Sequence, residues 1–172
     1  MTPRHLRGLA DTNILIYLER LPREVLPGEL VTSAVTLAEL SAGVHQTDDA
    51  MERALRIVRL QRTEAMFDPL PFDADAARQY GLIAAGVIAS GRKPRRREAD
   101  LMIAAVAAAH RLPLFTTNPD DFKGTDGLLT VVPVPRPPDL PGPRPMRPIK
   151  KPAPEPIQTS GTVSDLIDDQ RR

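Results

Sequence analysis

Short apolar runs alternate along this chain with longer stretches in which apolar residues recur every three to four positions. That alternation is the habit of a parallel sheet covered by helices, an α/β fold. The strand-like runs are Leu6–Ala10, Leu30–Thr32, Asp68–Pro71, Leu112–Thr116 and Leu128–Val132. Helical patterns fall between them. The first begins around Asn13, a second covers Ala34–Val44, and a third covers Ala50–Ala65 with Asp48 and Asp49 as candidate caps. A fourth follows the Asp73 cap and runs to about Ala89, and a fifth, "EADLMIAAVAAAHRL", leads straight into the strand "LPLFTT".

Proline closes this pattern, because ten of the 19 prolines lie between Pro135 and Pro156. Such a segment can form neither a ladder nor a helix. The expected organisation is a folded body over 1–134 and an extended tail over 135–172, ending in a short helical stretch in "TVSDLIDDQRR". At 172 residues the chain holds one domain of ordinary size with a substantial core.

Composition then narrows the chemistry. With 23 Lys plus Arg against 22 Asp plus Glu, there is no whole-molecule basic field with which to argue for nucleic acid. Any such argument has to be local. Cysteine is absent, which removes disulfides, thiolate catalysis and thiolate-ligated metals together. His5, His45 and His110 are scattered singly, so an imidazole-based metal site is not indicated. No run approaches the roughly 18 apolar residues of a membrane span, and "MTPRHLRGLADT" lacks an apolar leader core. A soluble cytoplasmic protein is the expectation.

What remains is carboxylates. Asp11, in "GLADTNILIYL", interrupts an apolar run at the turn from the first strand into the first helix, where open parallel sheets place their ligand crevice. Taken alone, it is accounted for as a helix cap, since Asp, Thr and Asn are all preferred there. Glu39, in "VTLAELSAG", has a plain counterpart as a solvent-facing residue of an amphipathic helix. Asp100 precedes ten residues, Leu101 to His110, with no charge except on the histidine. A helix apolar all round is buried, so this acid stands at the mouth of a buried element. A favourable interaction with the helix dipole accounts for it equally well. "TTNPDDF" sets Thr116, Asn118, Asp120 and Asp121 just past another strand, and is also ordinary turn chemistry.

Together these positions say more than each does singly. Two come off strand ends and two from helices that can lean over the same edge. Carboxylates gathered in this way repel one another and raise each other's pKa values, a conflict that a divalent cation resolves. Hard oxygen ligands select Mg²⁺ or Mn²⁺, and such ions promote phosphodiester hydrolysis.

The ordered set "LADTN", "SAVTLAELSAG" and "READLMIAAVAAAHRLPLFTTNPDDF" resembles the PIN-domain ribonucleases, and among them the VapC-type toxins of toxin–antitoxin pairs. The resemblance spans residues 6 to about 134. It implies a three-layer αβα fold with a central parallel sheet and an acidic metal site. By motif position, Asp11, Glu39, Asp100 and Asp121 are the implied catalytic and metal-binding acids, and Asp120 is a neighbour that the motif does not select. Thr12, Asn13, Thr116 and Asn118 are the polar residues beside them. It further implies an RNA substrate, a cognate antitoxin and a homodimer.

Two further segments bear on substrate and regulation. "GRKPRRRE" carries Arg92, Lys93, Arg95, Arg96 and Arg97 immediately before the Asp100 helix, either as a solvated loop or as phosphate contacts. Few aromatics are available for base stacking, with four Phe, two Tyr and no Trp. Arg53, Arg56, Arg59 and Arg62, spaced by three, read as a solvated helix face, with phosphate contact as the alternative. The tail "RPIKKPAPEPIQTSGTVSDLIDDQRR" resembles the toxin-binding segment of some antitoxins. On that likeness Arg171 or Arg172 would reach the acids and inhibit. Rival readings are an RNA-processing or DNA-flap nuclease, and a non-catalytic nucleic-acid-binding module.

Overall fold

The computed structural model describes residues 5–94 and 97–138. Arg95, Arg96 and the tail from residue 139 onward, with Arg171 and Arg172, lie outside the described residues. Four strands, β1 (Arg7–Ala10), β2 (Glu29–Val31), β3 (Leu114–Thr116) and β4 (Val131–Pro133), form one sheet in the order β2-β1-β3-β4. Every pairing is parallel. Five helices accompany them: α1 (Thr12–Tyr17), α2 (Ala34–Val44), α3 (Ala50–Met66), α4 (Ala74–Ala89) and α5 (Glu98–Ala109). This is the three-layer α/β arrangement that the alternating pattern predicts.

The layers follow from the two-residue period of the strands. Leu9 and Leu114 point to one face, where they meet Ile83 and Val87 of α4 and the buried run of α5. Ala10 and Phe115 point to the other, against Ile14, Leu15 and Tyr17 of α1 and Leu40 of α2. Asp49 and Asp73 cap α3 and α4, accepting from the backbone N–H of Glu52 and Ala76 at 2.9 Å each. Ser33 caps α2 through the N–H of Thr36 at 3.1 Å. Each cap satisfies an otherwise orphaned donor.

Two expectations are corrected. Asp68–Pro71 is not a strand: one parallel bridge, Ser33 to Leu70, is all it contributes, with Leu70 donating to the Thr32 carbonyl and accepting from Ala34. Pro69 and Pro71 flank Leu70 and donate nothing, so no ladder extends beyond it. The last strand lies at Val131–Pro133 rather than Leu128–Val132, because Gly127, with φ of +78°, holds the preceding segment in a turn. Beyond it Val134 is buried and donates to the Thr116 carbonyl at 2.8 Å. Arg136 then reaches back to the Tyr17 hydroxyl at 2.7 Å, so contacts with the body continue past residue 134.

A close approach sets the position of the turn after β3. A Cβ on Gly86 of α4 would lie 2.6 Å from the Gly124 carbonyl oxygen, and Gly124 itself has φ of +93°. Only glycines allow α4 to press against the segment that follows Asp121. Among the described residues no helix is long and apolar enough to cross a membrane.

Candidate active site

β1 is the point from which the sheet grows in both directions, with β2 on one side and β3 on the other. The carboxyl ends of β1 and β3 therefore border the crevice in which open parallel sheets bind ligands. Asp11 follows β1 and is buried, 3% exposed. Its Oδ1 accepts from the Thr12 N–H at 2.7 Å, as a cap would. Its Oδ2 is held from another direction, by the Thr116 hydroxyl of β3 at 2.7 Å and the Asn13 amide at 2.5 Å. Asn13 accepts in turn from the Thr117 N–H at 2.9 Å. Asp11 is thus both the helix cap and the centre of a network that ties the ends of β1 and β3 together.

The other acids approach from helices. Glu39 on α2 is half-buried, and its Oε2 accepts from the Thr12 hydroxyl. It is not the solvent-facing residue that an amphipathic pattern alone allows. Asp100 lies in the first turn of α5, whose Leu101 and Ile103–Ala107 are buried. Asp121 sits in the single-turn helix Pro119–Phe122, anchored by the buried Phe122. Its Oδ2 accepts from the Asn118 amide, and its Oδ1 lies 2.8 Å from Arg97 Nη1. Asp120, beside it, is exposed and pairs with Lys123 at 2.7 Å.

Electrostatics show that these acids share one region. Burial pushes the Asp11 carboxyl up to about 6, opposed by the hydrogen bonds from Thr116 and Thr12 and reinforced by the charge of Glu39. Burial likewise pushes Asp100 up to about 7, with the charges of Asp11 and Asp121 adding to it and Arg97 opposing. Glu39 is raised by burial and by Asp100, against the Thr12 hydrogen bond. Each of the four acids thus acts on, or is acted on by, at least one of the others. Acids from four separate segments have been brought within each other's field.

Among the described residues, no three Asp, Glu or His side chains stand in an arrangement that closes on one ion. Glu39 is held by Thr12, and Asp121 by Asn118 and Arg97. The chemistry of the donor set nevertheless fits a hard divalent cation, being four mutually repelling carboxylates on a half-buried edge. His5 instead stacks edge-on against Phe115, away from the set.

The basic loop borders the same edge. Arg92 donates to the carbonyls of Asp120 and Lys123, at 2.9 and 3.2 Å, and Arg97 to that of Asp120 at 2.9 Å. Both arginines are therefore structural ties across the crevice rim as well as charges on it, a role that a basic run in the sequence does not disclose. With Lys93 they line a cavity of about 320 Å³ that also includes Asp121. The arginine stripe of α3 is likewise engaged: Arg53 donates to the Thr47 carbonyl at 2.7 Å, Arg56 to that of Gly43 at 2.5 Å, and Arg62 pairs with Glu19. It is not simply a solvated face.

A crevice of this topology, edged by acids that follow β1, sit on α2 and α5, and lie in the turn after β3, defines an α/β domain with an acidic cleft at the carboxyl ends of its strands. Residues 9–128 match the PIN domain family model, and the chain belongs to that family. Its PIN domain is of the VapC type. Ribonuclease VapC5 of Mycobacterium tuberculosis is 39% identical over 127 residues, covering 72% of this chain and 91% of that protein. Ribonuclease VapC of Rickettsia bellii is 30% identical over 128 residues, 67% of this chain and 87% of the other. Among solved structures, a VapBC-5 toxin–antitoxin family member from Mycobacterium tuberculosis matches with a TM-score of 0.65 at 37% identity. That match covers 75% of this chain and 98% of the other.

Proposed function

We propose that this protein is a metal-dependent endoribonuclease, the toxin of a type II toxin–antitoxin pair, acting in the cytoplasm on RNA phosphodiesters. The observation that carries the reading is the mutual repulsion of Asp11, Glu39, Asp100 and Asp121, which come from four separate segments. Its supports outside the structure are relatives named as ribonucleases and the VapBC-5 toxin–antitoxin structure. Asp11, Glu39, Asp100 and Asp121 are the residues that would hold Mg²⁺ or Mn²⁺. Such an ion, when bound, supplies an activated water and polarises the phosphate.

The chain's own residues have separable tasks. Thr116, Asn13 and the Thr12 N–H fix the Asp11 carboxylate in one orientation. The Thr12 hydroxyl does the same for Glu39, and Asn118 for Asp121. The buried α5 gives Asp100 a rigid base. Arg92, Lys93 and Arg97, with Arg95 and Arg96 of the same loop, would take substrate phosphates beside the acids. With few aromatics available, shape and phosphate geometry of a folded RNA are the expected determinants of recognition.

A homodimer and a cognate antitoxin complete the reading. The exposed Met51, Leu55 and Val58 of α3 give it an apolar surface for association. On the likeness of its sequence to an antitoxin's toxin-binding segment, the tail would inhibit, with Arg171 or Arg172 as the residues that would meet the acids. Truncation after Pro138, which keeps the Arg136–Tyr17 contact, should then raise nuclease activity. The decisive experiment maps RNA cleavage by wild type and Asp100→Asn, each with Mg²⁺ and with chelator. Cleavage that survives chelation or the substitution would refute the assignment.

A further inference from the structure

Among the described residues, one cation, Arg97, forms an ion pair with the acidic set. Arg97 occupies the position just before α5, where no side chain caps the helix. Its guanidinium instead crosses to the turn after β3, with Nη1 2.8 Å from Asp121 Oδ1 and 2.9 Å from the Asp120 carbonyl. The side chains of this pair are only 32% and 24% exposed, so solvent screens it less than a surface pair. Two neighbouring cations are engaged elsewhere. Arg92 is engaged with backbone carbonyls, and Lys123 with the exposed Asp120. Among the described residues, Arg97 alone forms an ion pair with one of the four acids.

The pair leaves Asp121 fully engaged, one oxygen with Arg97 and the other with the Asn118 amide. A divalent cation arriving at this carboxylate meets a neutral amide on one side and a like charge on the other. Repulsion between like charges decides which partner yields. Arg97 and Asp121 also both line the 320 Å³ cavity, so the guanidinium has room to move with Arg92 and Lys93 as neighbours.

We propose that Arg97 is an internal counter-ion that competes with a divalent cation for Asp121, and so sets the metal concentration at which the acidic crevice loads. It is a positioning residue acting through Asp121. This inference rests on the metal-site reading above, and the test separates the two. Calorimetric titration of Mg²⁺ into the full-length protein, without RNA, should show roughly 3- to 10-fold tighter binding for Arg97→Gln than for wild type. Arg97→Lys, which keeps the charge, should remain near wild type. An arginine needed only to hold the turn predicts the opposite, weaker binding in both variants.

Binding by wild type with equal or weaker affinity in Arg97→Gln overturns the inference alone. No Mg²⁺ binding by wild type removes the metal site and the inference together. An NMR measurement on wild type requires no variant. The Arg97 Nε–H resonance should shift and exchange faster with solvent as Mg²⁺ is added, and an unchanged resonance in metal-saturated protein overturns the proposal.

Discussion

Helices α3 and α5 are both well formed, yet they are held by opposite means. In α5 six residues are buried and the charged ones, Glu98 and Asp100, are confined to its first turn. In α3 only Thr63 is buried, while Met51, Leu55, Val58 and Met66 are exposed. What α3 lacks in apolar burial is met by its arginines, which bond to Thr47, Gly43 and Glu19 on neighbouring segments. The difference has a functional sense. An acid at the end of a packed rod is fixed in space, and fixed geometry is what a catalytic carboxylate requires. A helix pinned at its polar edge leaves an apolar face exposed.

The sharpest way to break this contrast is at the tip of α5. Asp100→Asn should lower RNA cleavage by about a thousandfold or more, read as initial rates at saturating Mg²⁺, with the circular dichroism spectrum unchanged. Next come the bodies of the two helices. Ile103→Ala, within the dry interior of α5, should cost roughly 2–5 kcal/mol in urea unfolding. Leu55→Ala on α3 should stay within about 0.5 kcal/mol for the monomer. Equal losses would mean that the exposed face of α3 is covered in solution.

The pH dependence follows from the raised acids. Asp11 at about 6 and Asp100 at about 7 hold protons in the native state that an unfolded chain, with carboxylates near 3.8, has already released. Native protein therefore binds more protons between about pH 4 and 7, and stability falls as pH rises through that window. Metal-free protein should gain on the order of 5 kcal/mol between pH 7 and pH 4.5 from these two groups. Asp11→Asn with Asp100→Asn should flatten that part of the profile. The smallest effect belongs to the polar edge of α3: Arg56→Ala should cost about 1 kcal/mol in thermal unfolding, through its bonds to Gly43 and Glu52.

Much of this molecule was legible in its chain. The buried run after Asp100 announced both the interior helix and the acid at its mouth, and the caps at Asp49 and Asp73 stand where the pattern placed them. Asp11 shows the limit. Its neighbours Thr12 and Asn13 suggested a cap, and only the hydroxyl of Thr116, 105 residues away, reveals that two strand ends converge on it. The strand expected at Asp68–Pro71 failed for a related cause: its apolar content was right, but pairing depends on what lies alongside, and the prolines leave one bridge.

Hydrophobic period and capping chemistry are local, repeated within a few residues, so the chain alone determined its α/β layering, its helix starts and its candidate acids. Partnership between charges is not local. That Arg97 meets Asp121, that Arg92 holds carbonyls of Asp120 and Lys123, and that Asp11, Glu39 and Asp100 are raised by burial and by neighbouring acids were decided only by tertiary structure. Coulomb and hydrogen-bond energies depend on separations of a few ångströms, which sequence distance does not encode.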